Sequence, residues 1–137
     1  MLRPATNSNP HATDSGIRLL IADDHVLVRE GLAMLLKRLD GICVVAEAGD
    51  GEQAVALAHE HKPDVVLMDV HMPVLDGLEA TERLTRELPD VRVIGLSMYE
   101  GDEISAAMRH VGAAGYLSKD CSATELASII RRVKTAR

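Results

Sequence analysis

The chain has 137 residues, of which 47% are hydrophobic and 1% are aromatic, and its formal net charge is −6 at pH 7. This length is typical of one domain whose hydrophobic core is stable without disulfide bonds or metal ions. An acidic chain without a basic run is not expected to contact nucleic acid directly. No apolar stretch approaches the roughly 20 residues of a membrane span, and the two cysteines are too isolated for a disulfide framework. We therefore expect a cytoplasmic protein without membrane contact.

The order of apolar segments predicts one domain after a short tail. Residues 1–16 are rich in Pro, Asn, Ser and Thr and lack hydrophobic periodicity, which predicts a flexible tail or linker. Over residues 17–134, five apolar runs that read as strands alternate with five segments of helical spacing. The first helix is predicted from about Asp24 to Leu39, and its proposed core face comprises Val28, Leu32, Leu35, Leu36 and Leu39.

The repeated strand–helix unit determines the expected fold. Strict alternation predicts a parallel sheet with helices on both faces, and right-handed crossovers leave few arrangements. We expect an α/β fold, a flavodoxin-like three-layer (βα)5 sandwich with a parallel five-stranded sheet of order 2-1-3-4-5. The switch point of this sheet lies between its first and third strands.

Polar side chains stand at the ends of four predicted strands. These residues are Asp23 and Asp24 after the first strand, Asp69 after the third, Ser97 after the fourth and Lys119 after the fifth. Taken alone, an aspartate such as Asp69 is most simply a turn residue. Because the carboxyl ends of parallel strands share one edge, where ligands of open α/β sheets bind, we expect the five side chains to converge.

Such a group of side chains has a definite chemistry. Three carboxylates repel one another, and Mg²⁺, which prefers oxygen ligands, would relieve that repulsion. Lys119 can place a charge near a phosphoryl oxygen, and Ser97 can donate a hydrogen bond to another. The set predicts a site that accepts a phosphoryl group, with Asp69 as the nucleophile. His25 could approach the metal, but a surface position at the start of the first helix is favoured because hard cations prefer oxygen.

Four short motifs in the same order carry a resemblance to a known family. They are Ala22-Asp23-Asp24, Met68-Asp69 with Met72-Pro73 and Asp76-Gly77, Leu96-Ser97, and Tyr116-Leu117-Ser118-Lys119. Together they make residues 17–134 resemble the response-regulator receiver domain of two-component signalling. The resemblance implies a signalling protein rather than an enzyme, with a histidine kinase as its partner.

The resemblance also implies roles for individual residues. Asp69 would be the phosphoacceptor. Asp24 and Asp69 would bind Mg²⁺ with the backbone carbonyl of His71, and Asp23 would act through a water. Ser97 and Tyr116 would form a switch that relays phosphorylation to the face made by the fourth helix, the fifth strand and the last helix.

One departure from the family pattern points to a subfamily. Many members have proline after the lysine, whereas this chain has Asp120. Lys119-Asp120 resembles receivers of the LuxR/NarL type, whose full-length members carry a helix-turn-helix output domain and regulate transcription. A receiver from a hybrid histidine kinase remains an alternative, since the polar residues 1–16 also fit a linker before such a domain. A homodimer formed through the face described above, or through the first and last helices, is also expected.

Two functional alternatives and one kinetic expectation complete the interpretation. A phosphatase that uses an aspartyl phosphate is disfavoured, because its second acid would occupy the position of His71. An interaction module without phosphate binding is disfavoured by the complete set of acids, hydroxyl and lysine. His71 and Tyr99 are expected to flank the approach of water to Asp69, and Met98 to narrow the entrance, which predicts a long-lived phosphoryl group. The competing possibility is that neutral His71 orients that water and shortens the lifetime.

Overall fold

The computed structural model describes residues 16–98 and 102–135. The predicted tail, apart from Gly16, lies outside the described residues, and so does Tyr99. The strands in chain order are β1 (Ile17–Ala22), β2 (Ile42–Ala48), β3 (Val65–Asp69), β4 (Arg92–Ser97) and β5 (Gly115–Ser118). The helices are α1 (Val26–Lys37), α2 (Gly51–His61), α3 (Gly77–Glu87), α4 (Asp102–His110) and α5 (Ala123–Thr135).

The five strands form one parallel sheet in the order β2-β1-β3-β4-β5. Across the sheet, Ala22 lies opposite Met68 and Asp69 lies opposite Leu96. The predicted flavodoxin-like (βα)5 fold and its strand order are therefore confirmed. This order brings the carboxyl ends of β1 and β3 next to each other.

The sheet has an apolar cluster on each face. One cluster includes residues of α2, α3 and α4, and the other includes residues of α1 and α5. β3 supplies both clusters, because Val66 and Met68 point to one side while Val65 and Leu67 point to the other. Burying one such aliphatic side chain contributes roughly 1.5–3 kcal/mol. The central strand is thus held firmly from both sides up to the residue at which it ends.

Three helices begin with side-chain caps near the edge where the strands end. The carboxylate of Asp50 accepts a hydrogen bond from the Gln53 amide in α2, and Asp76 does the same for Glu79 in α3. In α5 the cap is a reciprocal capping box. The Glu125 amide donates to the Ser122 hydroxyl over 3.1 Å, and the Ser122 amide donates to the Glu125 carboxylate over 2.9 Å.

The first helix differs from its prediction in length and in its buried face. It begins at Val26, because His25 keeps an extended backbone with φ −89° and ψ 105°. Leu36 is buried as expected, but Val28 and Leu35 are exposed, and the small Ala33 is buried instead. The spacing of large aliphatic residues located part of the buried face, but the helix also contacts the core through the small Ala33.

The helices also bear on membrane insertion. Within residues 16–98 and 102–135, no helix has both the length and the apolar character needed to span a bilayer.

Candidate functional site

The predicted polar residues lie at the carboxyl edge of the sheet. Asp23, Asp69 and Ser97 are buried, each with at most 2% of its surface exposed. The side chain of Lys119 is 4% exposed and reaches the two aspartates. The Lys119 amide also donates to the Ser97 carbonyl over 2.9 Å, which joins the ends of β4 and β5. The expected convergence is thus observed directly for the two acids and the lysine, with Ser97 on the adjoining strand.

Lys119 is shared between two buried acids. Its Nζ lies 2.7 Å from Oδ2 of Asp23 and 3.3 Å from Oδ2 of Asp69. One positive charge therefore faces two carboxylates in a place from which water is largely excluded. Removing charges from water is costly, and this pairing offsets the cost for only one of the two acids.

The two acids consequently differ in their affinity for protons. Burial is the largest influence on Asp69 and, with the nearby charge of Asp23, raises its pKa from 3.8 to about 6. Lys119 and the His71 amide, which donates to Oδ1 of Asp69 over 3.2 Å, oppose that rise. Burial acts on Asp23 in the same direction, but the Lys119 ammonium and the His25 amide outweigh it and lower the pKa of Asp23. Asp69 is therefore the acid that a further cation would stabilise most.

The acidic cluster matches the ligand preference of a hard divalent cation. Ligand atoms of Asp23, Asp24, His25 and Asp69 all lie within 4.8 Å of one another. Oδ1 of Asp24 is buried and accepts no hydrogen bond. Carboxylate oxygens are the protein ligands that Mg²⁺ prefers, so the donor set fits this ion.

His25 combines the two positions considered for it from the sequence. Its side chain is 62% exposed at the start of α1, and its Nδ1 lies 3.2 Å from Oδ1 of Asp23 and 3.3 Å from Oδ1 of Asp24. The ring thus lies on the surface while contacting the acidic pair. Its backbone has the clearer structural role, since the His25 amide donates to Oδ1 of Asp23 over 2.9 Å.

The loop after Asp69 is held tightly against the end of β3. The Gly77 amide donates to the Val70 carbonyl over 2.8 Å. A Cβ at position 77 would lie 2.2 Å from the Asp69 carbonyl oxygen and 2.7 Å from Cα of Val70, which no side chain tolerates. The Asp76-Gly77 pair, given above only as part of a family motif, therefore combines a helix cap with an obligatory close approach to the backbone of Asp69.

Tyr116 is half-buried where α4 packs on the sheet. It lies opposite Gly95 in the parallel pairing of β4 with β5. A Cβ at Gly95 would lie 2.7 Å from Cε of Met108 and 3.0 Å from Cδ1 of Tyr116. The missing side chain of Gly95 therefore leaves room that a helix residue and the tyrosine ring both occupy.

The loop that carries Lys119 contains an interaction that the sequence analysis missed. The Ser118 hydroxyl donates to Oδ1 of Asp120 over 2.5 Å, and the Asp120 amide donates back to the hydroxyl over 3.4 Å. The two residues flank Lys119 and close the turn around it. A serine hydroxyl that accepts from the backbone amide two residues on is a known turn motif.

An open pocket of about 470 Å³ lies over this cluster. Its lining residues are His25, Asp69, His71, Met98 and Lys119. Met98 is exposed at this opening. An opening bordered by two histidines and a methionine therefore leads to the buried carboxylate of Asp69.

Comparisons with known proteins agree with this geometry. The family model of the response regulator receiver domain matches residues 19–131. The response regulator GacA of Pseudomonas viridiflava is 45% identical over 117 residues, which are 85% of this chain and 55% of that protein. The chain thus spans about half the length of this curated relative.

Solved structures show the same similarity. The receiver domain of the response regulator NarL from Mycobacterium tuberculosis has a TM-score of 0.86 at 33% identity, covering 90% of this chain and 99% of that one. A LuxR-family DNA-binding response regulator from Staphylococcus aureus has a TM-score of 0.82 at 25% identity, covering 87% and 99%. From its sequence, its sheet and the buried acids at the sheet's edge, we conclude that the chain belongs to the response regulator receiver domain family and is of the LuxR/NarL type.

Proposed function

We propose that this domain is a phosphorylation-activated switch in which Asp69 accepts a phosphoryl group from a histidine kinase. The observation that carries the proposal is the buried carboxylate of Asp69, which lines an open pocket 3.3 Å from the Lys119 ammonium. In the transfer, a carboxylate oxygen of Asp69 forms a bond to phosphorus while the bond from phosphorus to the kinase imidazole breaks. The imidazole leaves with the electron pair of that bond.

Other residues of the site would bind and orient the incoming group. Asp24, Asp69 and the His71 carbonyl would hold Mg²⁺, and Asp23 would act through a water. The bound ion would neutralise charge on the phosphoryl oxygens. Lys119 already lies at the nucleophile and supplies a fixed positive charge for one phosphoryl oxygen, while the Ser97 hydroxyl would donate to another.

Exposed apolar side chains around the pocket support docking of a partner protein. Val26 and Leu27 follow β1, Val74 follows β3 and Met98 follows β4, and Leu27 is 84% exposed. Val74 also has a φ of +71°, which is unfavourable for a β-branched residue and is typical of functional loops. An apolar rim around an acidic floor fits a kinase domain that brings a phosphorylated histidine to Asp69.

Phosphorylation would act on the rest of the fold through charge. A phosphoryl group adds roughly −1.5 to −2 charges at the site. We propose that Ser97 and Tyr116 respond to it and bias the face formed by α4, β5 and α5. This face, or α1 with α5, would then mediate homodimerisation or contact with an output domain.

The relatives support a proposal for the domain layout and the output. We propose that residues 17–134 are the receiver, that residues 1–16 are a tail or linker, and that a transcriptional output domain uses its signal in the cytoplasm. The similarity to GacA and to a DNA-binding LuxR-family regulator supports this output. The alternative is a receiver from a hybrid histidine kinase.

Labelling by a small phosphoryl donor tests the proposal. Wild type should incorporate phosphate in the presence of Mg²⁺ and lose most labelling in chelator. Asp69→Asn should abolish labelling, whereas Asp64→Asn, at the opposite end of β3, should retain it. Equal labelling of wild type and Asp69→Asn would disprove the assignment of the nucleophile, and sustained turnover of a phosphate ester would indicate a phosphatase.

A further inference from the structure

Arg29 is a largely buried cation that the phosphoacceptor site, as described so far, does not use. It lies on α1, and its side chain is 18% exposed. One guanidinium nitrogen donates to the Asp23 carbonyl oxygen over 2.6 Å. Its Nε lies 3.6 Å from a carboxylate oxygen of Glu47 in β2. A single side chain therefore joins the first helix to the ends of β1 and β2.

The atom that Arg29 contacts is important for the geometry of the acidic pair. The Asp23 amide is held by the sheet, since it donates to the Ala48 carbonyl over 3.0 Å. The Asp23 carbonyl belongs to the next peptide, which leaves the sheet and leads into Asp24. Arg29 holds this peptide at its oxygen, so it fixes the direction in which the chain enters Asp24.

Removing the Arg29 guanidinium from water costs free energy, and its contacts offset that cost only in part. Nε is buried and makes no hydrogen bond, although arginine side chains usually satisfy their donors when removed from water. Glu47, its ionic partner, is exposed and can be solvated without Arg29. The guanidinium is thus held in the fold for its contact with the Asp23–Asp24 peptide rather than for a strong ion pair.

We propose that Arg29 is a positioning residue that holds the Asp23–Asp24 peptide and thereby places the Asp24 carboxylate for a divalent cation. The inference rests on the proposed function, because it assumes that the acidic cluster binds Mg²⁺. Arg29 contacts the backbone of the acidic pair and is not a catalytic residue. It acts through the direction of the chain at Asp24.

The direction in which one substitution changes the affinity for Mg²⁺ distinguishes positioning from a purely electrostatic effect. A positive charge beside three carboxylates weakens cation binding, so removing it should strengthen binding if charge alone matters. Loss of positioning should weaken binding instead. Residues that orient metal ligands typically change affinity by about 10- to 100-fold when they are substituted. We therefore expect Arg29→Gln to weaken Mg²⁺ binding by roughly tenfold.

Two further variants sharpen the comparison. Arg29→Lys keeps the charge but has no planar fork that can face a carbonyl and a carboxylate together, so it should give an intermediate loss. Arg83→Gln removes an arginine of α3 that pairs with Glu52 and Glu87 on the surface. It serves as the matched control and should bind Mg²⁺ as wild type does.

The experiment is calorimetric titration of the full chain with Mg²⁺, together with amide hydrogen exchange in the metal-free protein. Arg29→Gln should bind Mg²⁺ more weakly than wild type and should exchange faster at the Asp24 and His25 amides. Affinity equal to or tighter than that of wild type would overturn the inference. If Arg29→Gln does not fold, Arg29→Lys decides by the same criterion.

Failure of the proposed function gives a different result. In that case wild type itself would not bind Mg²⁺, and the exchange rates at the Asp24 and His25 amides would still decide whether Arg29 holds this peptide. Unchanged exchange in Arg29→Gln would then overturn the positioning role.

Discussion

Two lysine–aspartate pairs lie at opposite ends of β3 and share the same contact distance. Before the strand, Lys134 Nζ lies 3.3 Å from Oδ1 of Asp64. At its end, Lys119 Nζ lies 3.3 Å from Oδ2 of Asp69. The side chains of the first pair are 41% and 27% exposed, whereas those of the second are 4% and 3% exposed.

The comparison shows that surroundings, rather than distance, decide what an ion pair does. Water screens the first pair, and such pairs contribute about 0–1 kcal/mol. Asp64 also accepts a hydrogen bond from the Arg18 amide over 2.8 Å, so it has partners of its own. Little water reaches the second pair, and its lysine is shared with Asp23, so the negative charge of Asp69 is only partly compensated. Such incomplete compensation is the property that a phosphoacceptor site requires.

Substitution of each lysine in turn should give the largest difference in stability between the two pairs. Lys119→Met should destabilise the metal-free protein by about 3–5 kcal/mol at pH 8, because it leaves two buried carboxylates without compensation. Lys134→Met should cost about 1 kcal/mol or less. Denaturant unfolding in chelator measures both. Equal losses for the two variants would show that burial does not distinguish the pairs.

Substitution of the two aspartates should change the free energy of unfolding in opposite directions at the two ends of β3. With a folded pKa of about 6 against 3.8, Asp69 contributes stability that is fully present below pH 3.8 and is lost as pH rises through 6. Asp69→Asn should therefore stabilise the metal-free protein at pH 8 by up to about 3 kcal/mol, with the gain shrinking toward pH 4.

Asp64→Asn is the matched control for this pH dependence. It should be neutral or slightly destabilising at pH 8, since it loses an exposed pair. Unfolding free energies of both variants across this pH range provide the measurement. A gain for Asp69→Asn that did not depend on pH would rule out ionisation of Asp69 as its cause.

Substitutions in the turn that contains Lys119 should have smaller effects than substitution of the lysine itself. Ser118→Ala or Asp120→Ala should cost about 0.5–1.5 kcal/mol and slow phosphorylation, because Lys119 loses the contact that closes its loop. Thr135→Ala removes a hydroxyl next to Lys134 that donates to helix carbonyls, and it should leave the rate unchanged. A double-mutant cycle on Ser118 and Asp120 would show whether the two act together. Additive effects would argue against a shared contact.

The smallest expected effect concerns the lifetime of the phosphoryl group. His71 lines the pocket over Asp69, so His71→Ala should admit water and speed dephosphorylation by up to about tenfold, or 1.4 kcal/mol. His61→Ala, at the opposite edge, is the control and should leave the rate unchanged. Slower loss in His71→Ala than in wild type would show that His71 orients water.

The features that the sequence predicted well are those set by short-range pattern. Apolar runs that alternate with helical spacing gave five strands and their order, and polar residues at the strand ends gave the acids and the lysine. Asp69 and Lys119 could be placed together because parallel strands end at a common edge. No knowledge of side-chain packing was needed for that step.

The features that the sequence did not predict depend on depth and on contacts across elements. Spacing could not show that Ala33 rather than Leu35 is buried, because the depth of a helix depends on how closely it approaches the sheet. The contact of Arg29 with the Asp23 carbonyl joins a helix to a strand end through the backbone, so no side-chain pattern records it. The Ser118–Asp120 contact is local, but the sequence alone does not show that the Ser118 hydroxyl turns toward the Asp120 carboxylate.

Gly95 has a consequence for motion within the domain. Met108 and Tyr116 fill the space that a side chain at position 95 would occupy. Met108 is fully buried in the cluster that packs between α4 and the sheet. A tyrosine ring that advances toward Gly95 must therefore displace the end of the Met108 side chain. The Met108 side chain thus connects the position of the ring to that of α4.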